Sequence, residues 1–371
     1  MPRMDILLTI LSAVVVLGFL VIIHEGGHFV AARAFGVRVT EFMVGLPGPS
    51  IGVKRGETTF GVTAIPLGGY ARVCGMEPGN MSPHLKAAMA SVYGRGTALM
   101  EDVARDCGIS DDEAYEALEE LTEWGTVCGP KKSDQYNVYR TPGFKPTRRQ
   151  RRKALEAGSV APTYVEGEPR RLEDVDAAFA AEYRQQYRSL PFWKRSVILI
   201  AGPGVNLLFA IIAFVLIYSV IGFDYQNATT GEVSHITVSP LKAIEAGFMY
   251  IGMVVQAVAG LFNPQTAAET VSRSTSVVGI AVMSKNAIEA GLTDALFFTS
   301  MLSVSLGVMN MLPIPPLDGG KFVIEVYQRI RRKMMSLRAV NYLSWAGVAL
   351  FTLFFIVMMN QDIQRFVFGN W

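Results

Sequence analysis

The chain has 371 residues, of which 50% are hydrophobic and only 18% are charged. This balance argues against a soluble protein of this size and predicts a polytopic membrane protein. The formal net charge of +2 gives no sign of nucleic-acid binding, and the three cysteines lack paired ligand spacing, so we expect reduced thiols and no disulfide framework.

The first predicted element is a transmembrane helix over residues 6–23, which are all apolar or small and uncharged. At about 1.5 Å per residue, this run covers most of a hydrocarbon core of about 30 Å. A cleaved signal peptide is the alternative, because Arg3 precedes the run. The run is long for a signal peptide and leads directly into His24 and Glu25, which favours the transmembrane helix.

The sequence HEGGH follows at residues 24–28, at the end of this helix. His24 and His28 are four residues apart and share one helix face, so both imidazoles can bind one metal ion. Glu25 lies beside them and can accept a proton from a water that the metal activates. The alternative is that these residues only mark the helix end at the lipid surface, which does not explain two histidines at ligand spacing.

Residues 76–190 are predicted to form a polar cytoplasmic insert. Within it, residues 96–142 have the pattern of a winged-helix-like module, with a helix near 98–106, a second helix over 111–124 and a short β-wing. The second helix carries acidic residues and no Lys or Arg, which argues against DNA binding. We therefore expect a cytoplasmic protein partner or a regulatory role for the insert, and no nucleic acid.

Three further transmembrane helices are predicted at residues 197–223, about 292–311 and 340–359. Residues 247–262 are also apolar, but a run of about 16 residues is marginal for a span. We expect this segment to lie on the outer surface as an amphipathic or re-entrant helix. The predicted fold class is mainly α, with about four transmembrane helices.

The distribution of basic residues predicts the orientation. About 22 of the 34 Lys and Arg residues fall in residues 36–195, and about six fall in residues 321–338. The stretch between the second and third spans holds only Lys242, Arg273 and Lys285. Because cytoplasmic loops are enriched in Lys and Arg, both basic regions are expected in the cytoplasm and both termini outside the inner (plasma) membrane.

A catalytic zinc site with two histidines needs a third protein ligand and one open position. The candidate is Asp318, within NMLPIPPLDGG at residues 310–320, at the inner end of the third span. Prolines break a helix, and irregular backbone at membrane depth is tolerated only where it is buried or lines a wet cavity. The first and third spans run parallel, so Asp318 and His24 are expected to meet near the cytoplasmic face.

The motifs HEGGH and NMLPIPPLDGG together resemble the site-2 protease family of intramembrane zinc metalloproteases, in particular its bacterial RseP-like branch. Three more segments are similar to segments of that family. They are IPLGGY at residues 65–70, AGPGVN at 201–206 and VGI at 278–280. The similar segments extend over about two thirds of the chain and are specific to the family.

The resemblance implies regulated intramembrane proteolysis, in which a zinc metalloendopeptidase hydrolyses a peptide bond in or near the transmembrane helix of a substrate. By this resemblance, His24, His28 and Asp318 would bind Zn²⁺, and Glu25 would be the general base. The expected substrates are an anti-sigma factor or a remnant signal peptide. The residues that would contact substrate are Asn310, Gly68, Gly69 and Asn206.

The resemblance also implies a membrane-associated β-hairpin over residues 39–73 that would pair with a substrate strand. A physical reason supports this pairing. Peptide bonds in an intact transmembrane helix are shielded by their own hydrogen bonds, so cleavage requires local unwinding. An edge strand can satisfy the backbone groups that unwinding frees.

The chain departs from the RseP-like proteins between its second and third spans, where those proteins carry one or two PDZ domains. Residues 224–240 are too few for such a domain. We therefore predict three parts: residues 1–75 with the first span and the hairpin, 76–190 with the insert, and 191–371 with the remaining membrane core.

Two other functions stay open from the residues alone. One is a membrane-anchored zinc protease whose active site lies in a cytosolic domain, with a glutamate as third ligand. The other is a non-catalytic membrane receptor that signals through the insert. The apolar run before His24 disfavours the first, and the intact ligand and base positions disfavour the second.

Overall fold

The structure is a computed structural model that describes residues 2–65, 68–76, 81–134, 136–146, 148–226, 232–364 and 368. Pro66 and Leu67, in the IPLGGY segment, lie outside these ranges. The described chain is mainly helical, with a few small sheets. This agrees with the predicted fold class of a polytopic membrane protein.

The first helix, α1 (Pro2–Ala34), contains the first predicted span and continues beyond it. At about 1.5 Å per residue, its 33 residues are longer than a hydrocarbon core of about 30 Å. The HEGGH motif therefore lies inside the helix rather than after it. His24 and His28 are both buried.

Within the described residues, the chain after α1 forms a sheet of β1 (Val39–Val44), β2 (Ser50–Arg55), β3 (Thr58–Thr63) and β4 (Gly69–Val73). The strand order is β2-β3-β1-β4, with β1 parallel to β3 and antiparallel to β4. The segment predicted as a hairpin over residues 39–73 forms this four-stranded sheet instead, in which β2 and β3 are an antiparallel pair. The order leaves β4 at one edge, beside α1.

The insert contains helices and a two-stranded sheet, and its winged-helix-like character stays a prediction. Its elements in chain order are α2 (Leu85–Arg95), β5 (Thr97–Leu99), α3 (Met100–Cys107), α4 (Asp111–Glu123) and β6 (Val138–Arg140), with β5 antiparallel to β6. The start of the predicted first helix is strand instead, because residues 97–99 pair with β6. The helix α2, which precedes the predicted module, supplies part of its core.

Local signals and burial explain why α4 forms. The Ser110 hydroxyl accepts a hydrogen bond from the Glu113 N–H, and the Glu113 carboxylate accepts one from the Ser110 N–H, which is a capping box. On the inner face of α4, Leu118 and Leu121 are fully buried next to Trp124. After α5 (Arg148–Glu156), the helix α6 (Val175–Tyr183) covers this core, with the ring of Phe179 6.0 Å from that of Trp124.

The insert is docked on the sheet through Arg38, one residue before β1. Arg38 is 8% exposed, and its guanidinium donates to the main-chain oxygen of Trp124 at 3.1 Å and to Glu182 at 2.8 Å. A buried charge of this kind needs these partners to offset its lost hydration. The contacts tie the core of the insert and the end of α6 to the first strand of the sheet.

All three cysteines are free thiols, as expected. Cys74, directly after β4, is fully buried, and burial raises the pKa of its thiol to about 12. This thiol stays protonated near neutral pH and is therefore a poor nucleophile. Burial also raises the pKa of Cys107 and of Cys128, both in the insert.

The remaining elements complete the membrane core. They are α7 (Phe192–Val215), which continues as a π-helical segment (Leu216–Ile221), β7 (Phe223–Gln226), β8 (Val233–Ile236), α8 (Pro240–Gly260), α9 (Ala267–Arg273), α10 (Val277–Ala290), α11 (Leu292–Asn310), α12 (Asp318–Arg331) and α13 (Leu337–Asp362). Between the end of the π-helical segment and α8, the described residues form only the β7–β8 hairpin. The chain is too short there to include a PDZ domain.

Five helices among the described residues are long and apolar enough to cross a membrane. Four of them, α1, α7 with its π-helical extension, α11 and α13, match the predicted spans, although the second ends at Ile221 and not at residue 223. The fifth is α8, which begins at Pro240 and is therefore longer than the apolar run over residues 247–262. Its surface position stays a prediction, because the length of α8 alone also allows a crossing.

The helix α10, which contains the VGI segment, connects the two ends of the membrane core. The Asp362 carboxylate, at the end of α13, accepts hydrogen bonds from the N–H groups of Ser276 and Gly279 at 2.5 and 3.1 Å. Lys285, on the same helix, pairs with Asp5 at the start of α1. The start of the first span and the end of the last span therefore lie near the same helix.

Candidate metal centre

His24, His28 and Asp318 come together at the C-terminal part of α1, although His28 and Asp318 are 290 positions apart in the sequence. Asp318 Oδ2 lies 3.1 Å from His24 Nε2 and 3.0 Å from His28 Nε2. The three candidate ligand atoms lie within 4.8 Å of one another, and all three residues are buried. Two imidazole nitrogens and one carboxylate oxygen facing a common point are a suitable donor set for zinc with a fourth position open.

Glycines allow α7 to approach the two histidines. A Cβ on Gly27 would lie 2.5 Å from the main-chain oxygen of Ala201, and a Cβ on Gly202 would overlap the His28 imidazole. Gly202 therefore leaves the space that the ring of a candidate ligand occupies. For a Cβ on Gly204, no atom of the described residues lies within 4 Å.

Asp318 is the first residue of α12, and the loop before it folds back tightly on the helix start. A Cβ on Gly319 would overlap the main chain of Met311, and a Cβ on Gly320 would overlap the main chain at Ile314. The two glycines after Asp318 therefore permit the close approach that brings this carboxylate to α1. This gives the DGG part of the motif a steric reason.

Each histidine has a second partner that orients its ring. His28 Nδ1 donates to the main-chain oxygen of Ile198 at 2.8 Å, which leaves Nε2 free to bind a metal. His24 Nδ1 lies 3.2 Å from Asn206 Nδ2, and Asn206 Oδ1 is buried without a hydrogen-bond partner among the described residues. Turning the Asn206 amide by 180° brings its Oδ1 to His24 Nδ1. Oδ1 then accepts the Nδ1 proton, and the His24 tautomer that carries this proton leaves Nε2 free to bind a metal.

The second oxygen of Asp318 faces a lysine. Asp318 Oδ1 accepts a hydrogen bond from Lys321 Nζ at 3.3 Å, while Oδ2 faces both imidazoles. Lys321 lies one helical turn after Asp318 on α12, so the two side chains share one face. This arrangement directs a single carboxylate oxygen towards the histidines.

Glu25 lies against the free edge of β4. Its Oε2 accepts a hydrogen bond from the main-chain N–H of Ala71 at 2.9 Å. A Cβ on Gly69 would lie 2.5 Å from Val21 Cγ1 and 3.4 Å from Glu25 Cγ, so glycine at this position lets the strand approach α1. The candidate general base and the edge strand are therefore direct neighbours.

A cleft of about 240 Å³ opens at these residues, and Asn310 and Gly69 line it together with the candidate ligands and Glu25. Gly68 lies in the positive-φ turn before β4 and is not part of this lining. Asn206 is fully buried behind His24. The structure thus places Asn206 in contact with a histidine and outside the lining of the cleft.

Comparison with known proteins identifies the family. Residues 12–354 match the family model of Peptidase family M50, and the chain belongs to this family of site-2 proteases. It is similar to the regulator of sigma-W protease RasP of Bacillus subtilis, with 23% identity over 96% of this chain and 98% of that protein. It is also similar to the zinc metalloprotease RasP of Bacillus licheniformis, with 22% identity over 96% of this chain and 99% of that protein.

The family and these relatives confirm the predicted class. The chain is an integral membrane zinc metalloprotease of the site-2 protease type, and zinc is its cofactor. The receptor alternative does not agree with this family. The alternative with a cytosolic active site does not agree with the position of His24 inside α1, one of the candidate membrane spans.

Three features of the site were not identified from the sequence. They are the contact of Lys321 with Asp318, the contact of the Ala71 N–H with Glu25, and the steric role of Gly202. The spacing of three residues between Asp318 and Lys321 is a usable signal, because such residues are neighbours on a helix. The other two contacts join separate elements, and no local pattern encodes them.

Proposed function

We propose that this chain hydrolyses a peptide bond in or near the transmembrane helix of a membrane protein, with zinc held by His24, His28 and Asp318. The approach of Asp318 Oδ2 to both imidazoles, at 3.1 and 3.0 Å, carries this proposal. The chemistry that zinc supplies when bound is Lewis acidity towards a water molecule and towards the scissile carbonyl.

Glu25 acts as the general base and then as the general acid. Its carboxylate lines the same cleft as the three ligands, so it can take a proton from the attacking water. It then gives this proton to the leaving amine. The hydrogen bond from the Ala71 N–H holds one oxygen of the carboxylate at the cleft wall and leaves the other oxygen available for the proton.

The free edge of β4 receives the unwound substrate. The N–H of Ala71 points away from β1 and towards Glu25, so it lies on the edge that an added strand would use. A substrate carbonyl that accepts this N–H replaces Glu25 as its partner. Strand addition therefore frees the Glu25 carboxylate at the moment when the peptide enters the cleft.

The active site lies near the cytoplasmic face, and both termini lie outside. The basic residues of the insert and of residues 321–338 support this orientation. The contacts of α10 with Asp5 and Asp362 also support it, because they hold the start of α1 and the end of α13 together. If α8 were a fifth crossing, the start of α1 and the end of α13 would lie on opposite sides of the membrane. In this proposal α8 therefore enters the membrane without crossing it or lies on its surface.

The substrate is a membrane-anchored regulatory protein, such as an anti-sigma factor, or a remnant signal peptide. The name of the similar Bacillus subtilis protein, regulator of sigma-W protease, supports the first class. The insert binds a cytoplasmic protein partner. Exposed acidic residues such as Asp112 and Glu116 cover the outer face of its helix α4. Such a face disfavours binding to DNA phosphates and supports a protein partner instead.

Replacement of the base tests the proposal. Purified Glu25→Gln protein should keep its zinc, because the ligands are unchanged, and should cleave a model transmembrane substrate at least about a hundredfold more slowly. Glu101→Gln, which removes an exposed carboxylate from the insert, is the matched control and should retain activity. Cleavage at the native rate by zinc-loaded Glu25→Gln protein would exclude Glu25 as the base.

A further inference from the structure

A second, larger cavity adjoins the catalytic cleft. Its volume is about 560 Å³, and it lies between β4, the first turns of α7, α12 and the start of α13. This volume is typical of sites that bind a small molecule or a short peptide segment. The residues that line both the cavity and the cleft are Ala71, Val73, Met76, Leu199, Pro316 and Lys321.

The edge strand leads from the cleft into this cavity. Gly69 and Tyr70, at the start of β4, line only the cleft, whereas Arg72 and Gly75 line only the cavity. A peptide strand that pairs with β4 at Ala71 therefore continues past Val73 into the cavity. The residues held there are those next to the scissile bond on one side.

Four cationic and two acidic residues line the cavity, and each cation also has an acidic partner: Glu41 for Arg72 at 3.3 Å, Glu120 for Arg188 at 3.8 Å, Glu325 for Arg195 at 3.2 Å and Asp318 for Lys321 at 3.3 Å. The acidic residues of the lining are Glu123 and Glu325. Two of the cations are accessible, since the side chains of Arg72 and Lys321 are 49% and 48% exposed. The ion pair of Arg72 uses Nε, so the terminal nitrogens of this half-exposed guanidinium can bind a carboxylate of a ligand.

The buried polar groups of the wall are incompletely paired. Arg195 contacts Glu325 at 3.2 Å, yet its Nε has no acceptor among the described residues. The Tyr187 hydroxyl, 3% exposed as a residue, likewise has no hydrogen-bond partner in the described part of the chain. Glu325 Oε2 is a buried acceptor that also lacks a hydrogen-bond partner among the described residues. Buried donors without acceptors are costly, so a ligand oxygen that reaches Arg195 Nε or the Tyr187 hydroxyl is favoured.

We propose that this cavity binds an acidic segment of the substrate, with one or more Asp or Glu residues within a few positions of the scissile bond. The inference rests on the proposed proteolytic function and adds a determinant of specificity to it. The main chain of the segment extends β4, and its carboxylates pair with Arg72 and with the cations behind it. Ile324 and Val340 on the same walls contact the apolar parts of the segment.

A series of substrates tests this inference on the wild-type full-length protein in detergent. Three versions of one transmembrane substrate carry Glu, Gln or Lys at two positions that flank the cleaved bond on the side held by the cavity. The Glu version should have a KM about tenfold below that of the Gln version, as expected for one charge-assisted hydrogen bond, with kcat similar. The Lys version should have the highest KM.

A charge reversal on the enzyme gives the complementary test. Arg72→Glu should abolish the preference for Glu over Gln and should favour the Lys version. Arg55→Glu makes the same charge change on β2, where every residue is exposed, and should keep the native preference. A loss of bound zinc would show that Arg72→Glu fails to fold. In that case the substrate series on the wild-type protein still tests the inference.

Each outcome separates the inference from the proposed function. Cleavage of all three substrates with equal KM overturns the acidic-segment inference and leaves the proteolytic function intact. Cleavage of none of them overturns the proposed function and this inference with it. If phosphatidylglycerol in the detergent micelle raises KM for the Glu version only, its anionic headgroup competes with the acidic segment for the cavity, which supports the inference.

Discussion

Gly202 and Asn206 are one helical turn apart on α7, and each faces one histidine of α1. Gly202 leaves the space for the ring of His28, and Asn206 lies 3.2 Å from Nδ1 of His24. Residues at positions i and i+4 share a helix face, so this spacing matches the spacing of the two histidines. The G-x-x-x-N pattern therefore supports the candidate metal ligands.

Gly202→Ala is expected to weaken zinc binding, because the added Cβ overlaps the His28 imidazole and must displace it. We expect at least about a tenfold loss of zinc affinity, as for other residues that orient metal ligands, with a parallel loss of activity. Zinc content and substrate cleavage measure the effect. Gly204→Ala is the control, and equal zinc affinity in both variants would contradict this role of Gly202.

At the scale of elements, the position of β4 depends on contacts with α1 and with β1. The strand lies at the edge of the sheet, and its Ala71 N–H is bonded to Glu25 and not to another strand. Edge strands expose such groups to further pairing. In this protein the exposed edge lines the cleft, where the proposed function requires a strand that can pair with a peptide.

Ala71→Pro removes the N–H that a substrate strand would use. Proline is tolerated at edge positions whose N–H faces away from the sheet, so the protein should fold and bind zinc. We expect kcat/KM to fall by about tenfold, the effect of one lost hydrogen bond. Ala71→Gly retains the N–H and is the control. Native kcat/KM in zinc-loaded Ala71→Pro protein would contradict strand pairing at β4.

Local patterns predicted much of the helical structure. The apolar runs predicted the four spans, and the spacing of His24 and His28 placed both on one face, because a helix repeats every few residues. The second helix of the insert, predicted over 111–124, is also present, as α4. These features depend on residues that are close in sequence.

Features that depend on distant residues were not predicted. The parallel pairing of β1 with β3 and the packing of α6 on the insert core join separate segments. The meeting of Asp318 with His24 was expected only from the direction of the spans and from the family resemblance. The geometry of the site requires Gly202 to pack closely against His28 and Gly319 to pack closely against Met311. A single sequence reveals neither contact.

At the scale of the whole molecule, α10 connects the two ends of the membrane core. Asp5 pairs with Lys285, and Asp362 caps the start of α10 through Ser276 and Gly279. The start of α1 and the end of α13 therefore lie near one helix, which supports the proposed topology with both termini on one side of the membrane. The insert, docked through Arg38, lies after the opposite end of α1.

Labelling of cysteines tests this topology. In right-side-out membrane vesicles, a membrane-impermeant maleimide should label Met4→Cys but none of the three native cysteines. After permeabilisation, Cys107 and Cys128 should react, and Cys74 should react most slowly because it is buried and its pKa is raised to about 12. Labelling of Cys107 in sealed vesicles would contradict a cytoplasmic insert.

The coordination of zinc is tested most directly by X-ray absorption at the zinc edge on the purified protein. We expect one zinc per chain with two imidazole nitrogens at about 2.0–2.1 Å, oxygen as the remaining ligands and no sulfur. Asp318→Ala should lose most of this zinc. A sulfur ligand at about 2.3 Å, or an unchanged spectrum in Asp318→Ala, would contradict a site built from His24, His28 and Asp318.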